Sequence, residues 1–221
     1  MMLNFKLLDE PIRIRKMTTL IIEDVSVFTN LVELFYRYNE ESELKVFDKK
    51  FKTIKDSELL IVTDILGYNI NSTSLLKLVY ADLEDQLNEK PEVRTMIDKL
   101  TSTISDLIEY ELIDHELDLE SADITVQQLF KALGVRIEVD NDTIFEKVIE
   151  IIKVFKYLTR KKLLVFINAC SYLKPEELLE LREYISLYNA KVLFLEPRKV
   201  PNINQYILDN DYFLMEENGI I

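Results

Sequence analysis

Leu163-Leu164-Val165-Phe166-Ile167, then Lys174-Pro175-Glu176-Glu177, then Val192-Leu193-Phe194-Leu195 make up the stretch that decides the fold class. The first and last segments are short apolar runs of the kind found in strands buried on both faces. Between them, a proline followed by two acids suits a first helical turn, where proline's missing N–H is no loss and the helix dipole favours negative charge. The pattern predicts a helix from there to about Tyr188. A strand–helix–strand unit is best satisfied by parallel pairing with a right-handed crossover.

Similar signals stand at the other end of the chain. Thr18-Thr19-Leu20-Ile21-Ile22 is a β-branched apolar run ending at Glu23-Asp24, and a helical pattern follows in Val25, Phe28, Leu31, Val32 and Phe35. Leu59-Leu60-Ile61-Val62 is another buried-strand candidate, ending at Thr63-Asp64. The middle reads differently. Leu75, Leu76, Val79, Leu83 and Leu87 line one helical face. After Pro91, a helix start, Val93, Ile97, Leu100, Ile104 and Leu107 repeat at spacings of four and three, a coiled-coil-like seam. Leu129 and Leu133 continue the helical reading, as do Ile144, Val148, Ile151, Phe155 and Leu158. The expected class is α/β, with a discontinuous α/β part at 1–70 and 144–221 and an α-helical insertion at 71–143. One compact α/β fold with long crossovers is the alternative.

Composition removes whole classes of function. Only three glycines occur, Gly67, Gly134 and Gly219, and none lie close enough together to form a phosphate-cradling loop. Nucleophile elbows and kinase loops need clustered glycines too. A single histidine, His115, and a single cysteine, Cys170, leave little for a histidine-based triad or a zinc site. Leu59 to Asp64 has the shape of a Walker B strand, but without a Walker A loop it has no phosphate to serve. Cys170, after an apolar strand, reads as a small buried hydrophobe. With 221 residues, 48% hydrophobic and 30% charged, the chain can bury a real core. No apolar run approaches the roughly 18 residues of a membrane span, and no secretory signal is visible. One cysteine excludes an intrachain disulfide, which fits a cytoplasmic protein.

The net charge of −13 argues against nucleic-acid binding unless the cations gather on one surface. The acids do segregate. From Leu100 to Phe130 there is no Lys or Arg, while Asp106, Glu109, Glu111, Asp114, Glu116, Asp118, Glu120 and Asp123 all fall there. On an extended segment Glu116-Leu117-Asp118-Leu119-Glu120 would point three carboxylates one way and two leucines the other. A hard divalent cation such as Ca²⁺ would offset their repulsion. The alternative is a solvated acidic helix end and loop. The segment is not an EF-hand, because Ser121 and Gln127 fall where glycine and the bidentate acid belong. The cations collect at Lys49-Lys50-Phe51-Lys52-Thr53-Ile54-Lys55, with smaller groups at Arg160-Lys161-Lys162 and around Lys90, Arg94 and Lys99. These are either phosphate contacts or ordinary solvated turn lysines.

Several longer strings resemble one family, the small adaptation protein of type II-A CRISPR–Cas systems, an accessory factor for spacer acquisition. They are Leu7-Leu8-Asp9-Glu10-Pro11, Val62-Thr63-Asp64-Ile65-Leu66-Gly67-Tyr68 and Asp82-Leu83-Glu84-Asp85-Gln86-Leu87-Asn88-Glu89-Lys90-Pro91-Glu92-Val93. Further on come Asp142-Thr143-Ile144-Phe145-Glu146-Lys147, Val192-Leu193-Phe194-Leu195-Glu196-Pro197-Arg198 and Gln205-Tyr206-Ile207-Leu208-Asp209. None is a catalytic signature. The resemblance implies an α/β head like a P-loop ATPase that has lost its nucleotide loop, plus an inserted helical leg. It implies a homotetrameric ring that holds Ca²⁺ and accepts the ends of linear double-stranded DNA through a basic central hole. It implies no catalytic activity, and partnership with the CRISPR integrase proteins and effector nuclease. Carried over, it makes Glu116, Asp118, Glu120 and Asp123 the calcium candidates, with Glu138 and Asp142 completing the shell. The DNA-facing candidates are Lys49, Lys50, Lys52 and Lys55, with Arg94, Lys99 and Arg136 secondary. A ring with cations inward and acids outward reconciles the net charge with a duplex ligand. The rival readings are a metal-dependent nuclease acting through the acidic cluster and a degenerate ATPase acting as a switch.

Overall fold

The computed structural model of the chain describes residues 1–113, 115–139 and 143–219. It divides into two compact units, residues 1–68 with 140–221, and Asn69–Val139. The chain is mixed α/β, and the strand–helix–strand stretch forms as its spacing predicts. β6 (Leu163–Ile167) leads through α6 (Pro175–Tyr188) to β7 (Val192–Glu196). β6 and β7 pair in parallel, with Leu164 opposite Val192 and Phe166 opposite Phe194. Proline sits in the first turn of α6 with Glu176 and Glu177, and Glu177 Oε2 accepts the Lys174 N–H at 2.7 Å. The helix ends at Asn189, left-handed at φ 52°, a conformation asparagine tolerates better than most residues.

β3 (Met17–Ile22) lies between β7 and β8 (Gln205–Leu208), parallel to both. β5 (Leu59–Val62) closes the other side on β6, and β9 (Leu214–Glu217) adds antiparallel to β8. The order is β5-β6-β7-β3-β8-β9. A second sheet of three short antiparallel strands joins β2 (Ile12–Arg13), β1 (Met2–Asn4) and β4 (Lys45–Phe47) in that order. Neither this sheet nor β9 is readable in the sequence. Strands of two or three residues hold too few positions for a period to emerge, and every residue of β9 is exposed.

The central strands of the main sheet are buried on both faces. On one, Leu20, Leu163, Val165, Leu193 and Leu195 pack with Leu31 and Phe35 of α1 (Val25–Tyr36) and with Leu3 and Val46 of the small sheet. Asp24 caps α1, its carboxylate accepting the Val27 N–H at 2.9 Å. Phe166 and Phe194, one residue out of phase with that set, occupy the other face. There α6 lies against β3 and against α5 (Ile144–Phe155).

The other unit is helical, with α2 (Thr73–Asn88) touching both α3 (Pro91–Leu112) and α4 (Val126–Ala132). Tyr80 of α2 packs its ring 5.8 Å from that of Phe130 and donates its hydroxyl to the Val135 carbonyl at 2.6 Å. Asn71 brackets the Ile137 backbone, donating to its carbonyl at 3.0 Å and accepting its N–H at 2.9 Å. Among the described residues nothing covers the seam expected along α3. Val93, Leu100, Ile104 and Leu107 are exposed, and only Ile97 is half-buried. Among the described residues no helix is long and apolar enough to cross a membrane.

Candidate nucleic-acid interface

The lysine-rich segment is a tight, internally pinned turn. Phe47 and Thr53 bridge in antiparallel fashion. Between them the Asp48 carboxylate accepts the N–H of Lys50 at 2.7 Å and of Lys52 at 3.0 Å. Those N–H bonds, Lys52's first, hold the Asp48 carboxyl below its ordinary pKa. Phe51 at the tip is left-handed, φ 59°, and 72% exposed. A side chain with a Cβ pays for that backbone, and the surrounding bonds hold it there. The root of the turn is fixed from the core: Tyr38 donates its hydroxyl to the Ile54 carbonyl at 2.9 Å, and Ile54 N–H reaches the Val46 carbonyl at 2.8 Å. Burial raises the Tyr38 phenol pKa. Lys49, Lys50, Lys52 and Lys55 are therefore exposed side chains on an ordered backbone.

The fold brings further cations to this turn. Lys161 and Lys162 immediately precede β6, and Lys191 immediately precedes β7. Because those strands are parallel neighbours, the residues before them lie side by side at the strand-N-terminal edge of the sheet. Lys49, Lys50, Lys161, Lys162 and Lys191 line one cavity of about 450 Å³, together with Asp48 and Asn189. Lys162 pairs with Glu58, and that bond lowers the Glu58 pKa. Lys161 donates to the Leu59 carbonyl, and burial lowers its own pKa. Among the described residues Lys49, Lys50 and Lys191 form no ion pair. The crowding registers on the Met1 amino group, whose pKa falls through burial and then through Lys191, Lys49 and Arg13.

The secondary cations belong to the helical unit. Arg94 is already engaged. It reaches Glu84 at 3.4 Å, Asp98 at 3.1 Å and Asn88 at 3.1 Å, and Gln127 holds the other Glu84 oxygen at 2.6 Å. A phosphate would have to compete with this network. Lys99 and Arg136 are exposed.

Glu116, Asp118, Glu120, Asp123 and Glu138 are all exposed, and Asp114 and Asp142 lie outside the described residues. The Glu116–Glu120 segment forms no strand, and Leu117 and Leu119 are exposed as well. Glu120 shares a hollow of about 320 Å³ with Glu109, whose carboxylate accepts the Ser121 hydroxyl at 2.7 Å. His115 accepts the Leu117 N–H on Nδ1 at 3.1 Å. Among the described residues no group of three or more His, Cys, Asp or Glu side chains is placed to hold a metal ion.

One buried acid escapes sequence reasoning. Glu196 ends β7 almost fully buried, and its Oε1 accepts the Cys170 N–H at 2.8 Å. Burial raises its pKa to about 7, against a smaller opposing effect of the Cys170 and Ala169 bonds. Burial and then this neighbour push the Cys170 thiol well up, which leaves it protonated and unreactive, in keeping with a small buried hydrophobe.

A family model described as CRISPR-associated protein (Cas_Csn2) matches residues 37–212. The chain is 59% identical over 219 residues to the CRISPR-associated protein Csn2 of Enterococcus faecalis, an alignment spanning 99% of this chain and 100% of that protein. The chain belongs to the Csn2 family. Its similarity to the Csn2 protein of Streptococcus agalactiae is 53% identity over 218 residues, 99% of each chain. In fold, this Csn2-family chain resembles the crystal structure of Stu0660 of Streptococcus thermophilus. That likeness has a TM-score of 0.58 at 12% identity, over 100% of this chain and 76% of the other, and it bears on the fold alone. Within the Csn2-family chain, Lys191 is the cation that sequence reasoning missed. It stands alone in the sequence, and only the parallel register of β6 and β7 sets it beside Lys161 and Lys162.

Proposed function

We propose that the chain is a non-catalytic, calcium-supported homotetrameric ring that binds the ends of linear double-stranded DNA, without reading sequence, during spacer acquisition in the cytoplasm. The observation that carries this reading is the convergence of five lysines on one face of a chain whose net charge is −13. Local field decides where a polyanion docks, so a segregated basic face outweighs the overall charge. Phosphate contacts position a duplex and carry no base information. The integrase proteins and effector nuclease of the same defence system are the proposed partners. The strand order supports the finer reading of the α/β unit as a P-loop ATPase head without its loop. β3 passes to α1 through Glu23 and Asp24, where no glycine is available to let a phosphate approach the backbone.

The discriminating experiment compares linear and closed circular duplexes of identical sequence, with the mass of the assembly measured alongside. Preference for the linear form by a tetramer supports the reading, and equal binding or a monomer overturns it. Charge reversal across Lys49, Lys50, Lys52 and Lys55 is expected to weaken duplex binding equally for every sequence. It should also reduce the slope of log affinity against log salt by about 0.9 per lost contact. Variants that keep both affinity and slope would place the duplex elsewhere.

Calcium enters this reading as a counter-ion for the acidic segment between Leu100 and Phe130, which contains no cation of its own. Removing it with EGTA is expected to lower the melting temperature and loosen the assembly. A ligand at a hundredfold excess over its dissociation constant stabilises by about 2.7 kcal/mol. A melting curve and sedimentation profile unchanged after verified metal removal would sink the calcium part.

A further inference from the structure

We propose that the hollow lined by Lys49, Lys50, Lys161, Lys162 and Lys191 is a binding site for a compact phosphate dianion or polyphosphate. Five lysine side chains line it, and the acids that bear on them are Asp48 in the lining, Glu58 beside Lys162 and Asp56 near Lys161. Glu58 is committed to Lys162 and Asp48 to the backbone N–H groups of its own turn, and Lys49, Lys50 and Lys191 form no ion pair among the described residues. The positions of the lysines are set by separate parts of the fold. Lys49 and Lys50 come from the pinned turn, Lys161 and Lys162 from the edge of β6, and Lys191 from the edge of β7. Lysines drawn from three separate parts of the fold can each meet a different oxygen of a tetrahedral phosphate, whereas a carboxylate offers only two.

The choice of cation points the same way. Lysine presents a compact point charge without the planar fork of arginine, so it selects charge density rather than a flat bidentate partner. A phosphate monoester carries about −1.5 to −2 charges at pH 7, whereas each internal phosphodiester of a duplex carries one. A concave basic site focuses its field and so favours the denser charge. Two sources offer that chemistry: a free polyphosphate-type anion, and the 5′-terminal phosphate of a duplex. The second source rests on the DNA-end reading; the first does not.

The test is calorimetric titration of the full-length protein with sodium tripolyphosphate at low salt. Blunt duplexes with and without 5′-phosphates form separate arms. Saturable tripolyphosphate binding is expected, weakened about tenfold in Lys49→Ala and in Lys191→Ala. Lys49 is exposed and Lys191 half-buried, and thermal melts check that each variant is folded. Tighter binding of the phosphorylated duplex, with competition by tripolyphosphate, identifies the duplex as the source. Tripolyphosphate binding without any effect of the 5′-phosphate identifies the free anion. Absent tripolyphosphate binding, or binding unchanged in both alanine variants, overturns the site. The two readings fail separately. A 5′-hydroxyl duplex bound by a protein that ignores tripolyphosphate leaves DNA binding standing without the cavity, and the converse leaves the cavity standing without DNA binding.

Discussion

Replacing Phe194 with alanine is expected to destabilise the α/β unit by about 3–5 kcal/mol. Phe194 and Phe166 are directly opposite each other on β7 and β6, fully buried, with ring centroids 5.3 Å apart and planes within 12°. Truncation forfeits the transfer energy of the ring and leaves a cavity between a central strand and the helices over that face. The surroundings cannot close it, because both neighbouring strands are fixed by their ladders. Against a total stability of about 5–15 kcal/mol for an ordinary domain, that loss is severe. Urea denaturation followed by circular dichroism measures it. A midpoint change equivalent to less than about 1 kcal/mol would show that the stacked pair is not central to the core. Phe166→Ala should cost a similar amount, and the double variant less than the sum, since the two rings share one contact surface.

The second large effect concerns Glu196 and is visible only as a function of pH. The folded-state pKa is raised from 4.5 to about 7. The buried carboxyl therefore favours its protonated form, and its contribution to stability is fully present below pH 4.5. That contribution is lost as pH rises through 7, where folding must carry a buried negative charge. At about 1.36 kcal/mol per pH unit the change across this window is roughly 3 kcal/mol. Glu196→Gln keeps an oxygen to accept the Cys170 N–H and cannot ionise. The stability of the variant relative to the parent should improve by up to that amount between pH 4.5 and pH 8. Parallel pH profiles for the two proteins would show that Glu196 is charged, and adequately solvated, throughout.

Much of the α/β unit is legible in the sequence because its signals are local. A buried strand, a proline-initiated helix and a second buried strand occupy consecutive residues, so β6, α6 and β7 need no tertiary information. The same is true of α1, which Asp24 caps three residues ahead of the N–H it accepts. The helices α2 and α3 also announce themselves, one by an apolar face and the other by Pro91. The seam on α3 shows the limit of such reasoning. A period of 3.5 identifies residues that share a face, but not whether a second surface covers it.

By itself the sequence determined the class of fold, the segregation of acids from cations and the exclusion of glycine-dependent phosphate chemistry. Each follows from residue types and short spacings. Only tertiary structure decided the strand order, the small sheet, the engagement of Arg94 with Glu84 and Asp98, and the burial of Glu196. It also decided that Lys191 meets Lys161 and Lys162, which stand far from it in the chain. Parallel pairing sets strand starts side by side however many residues separate them, so a cluster built from those starts leaves no trace in any local window.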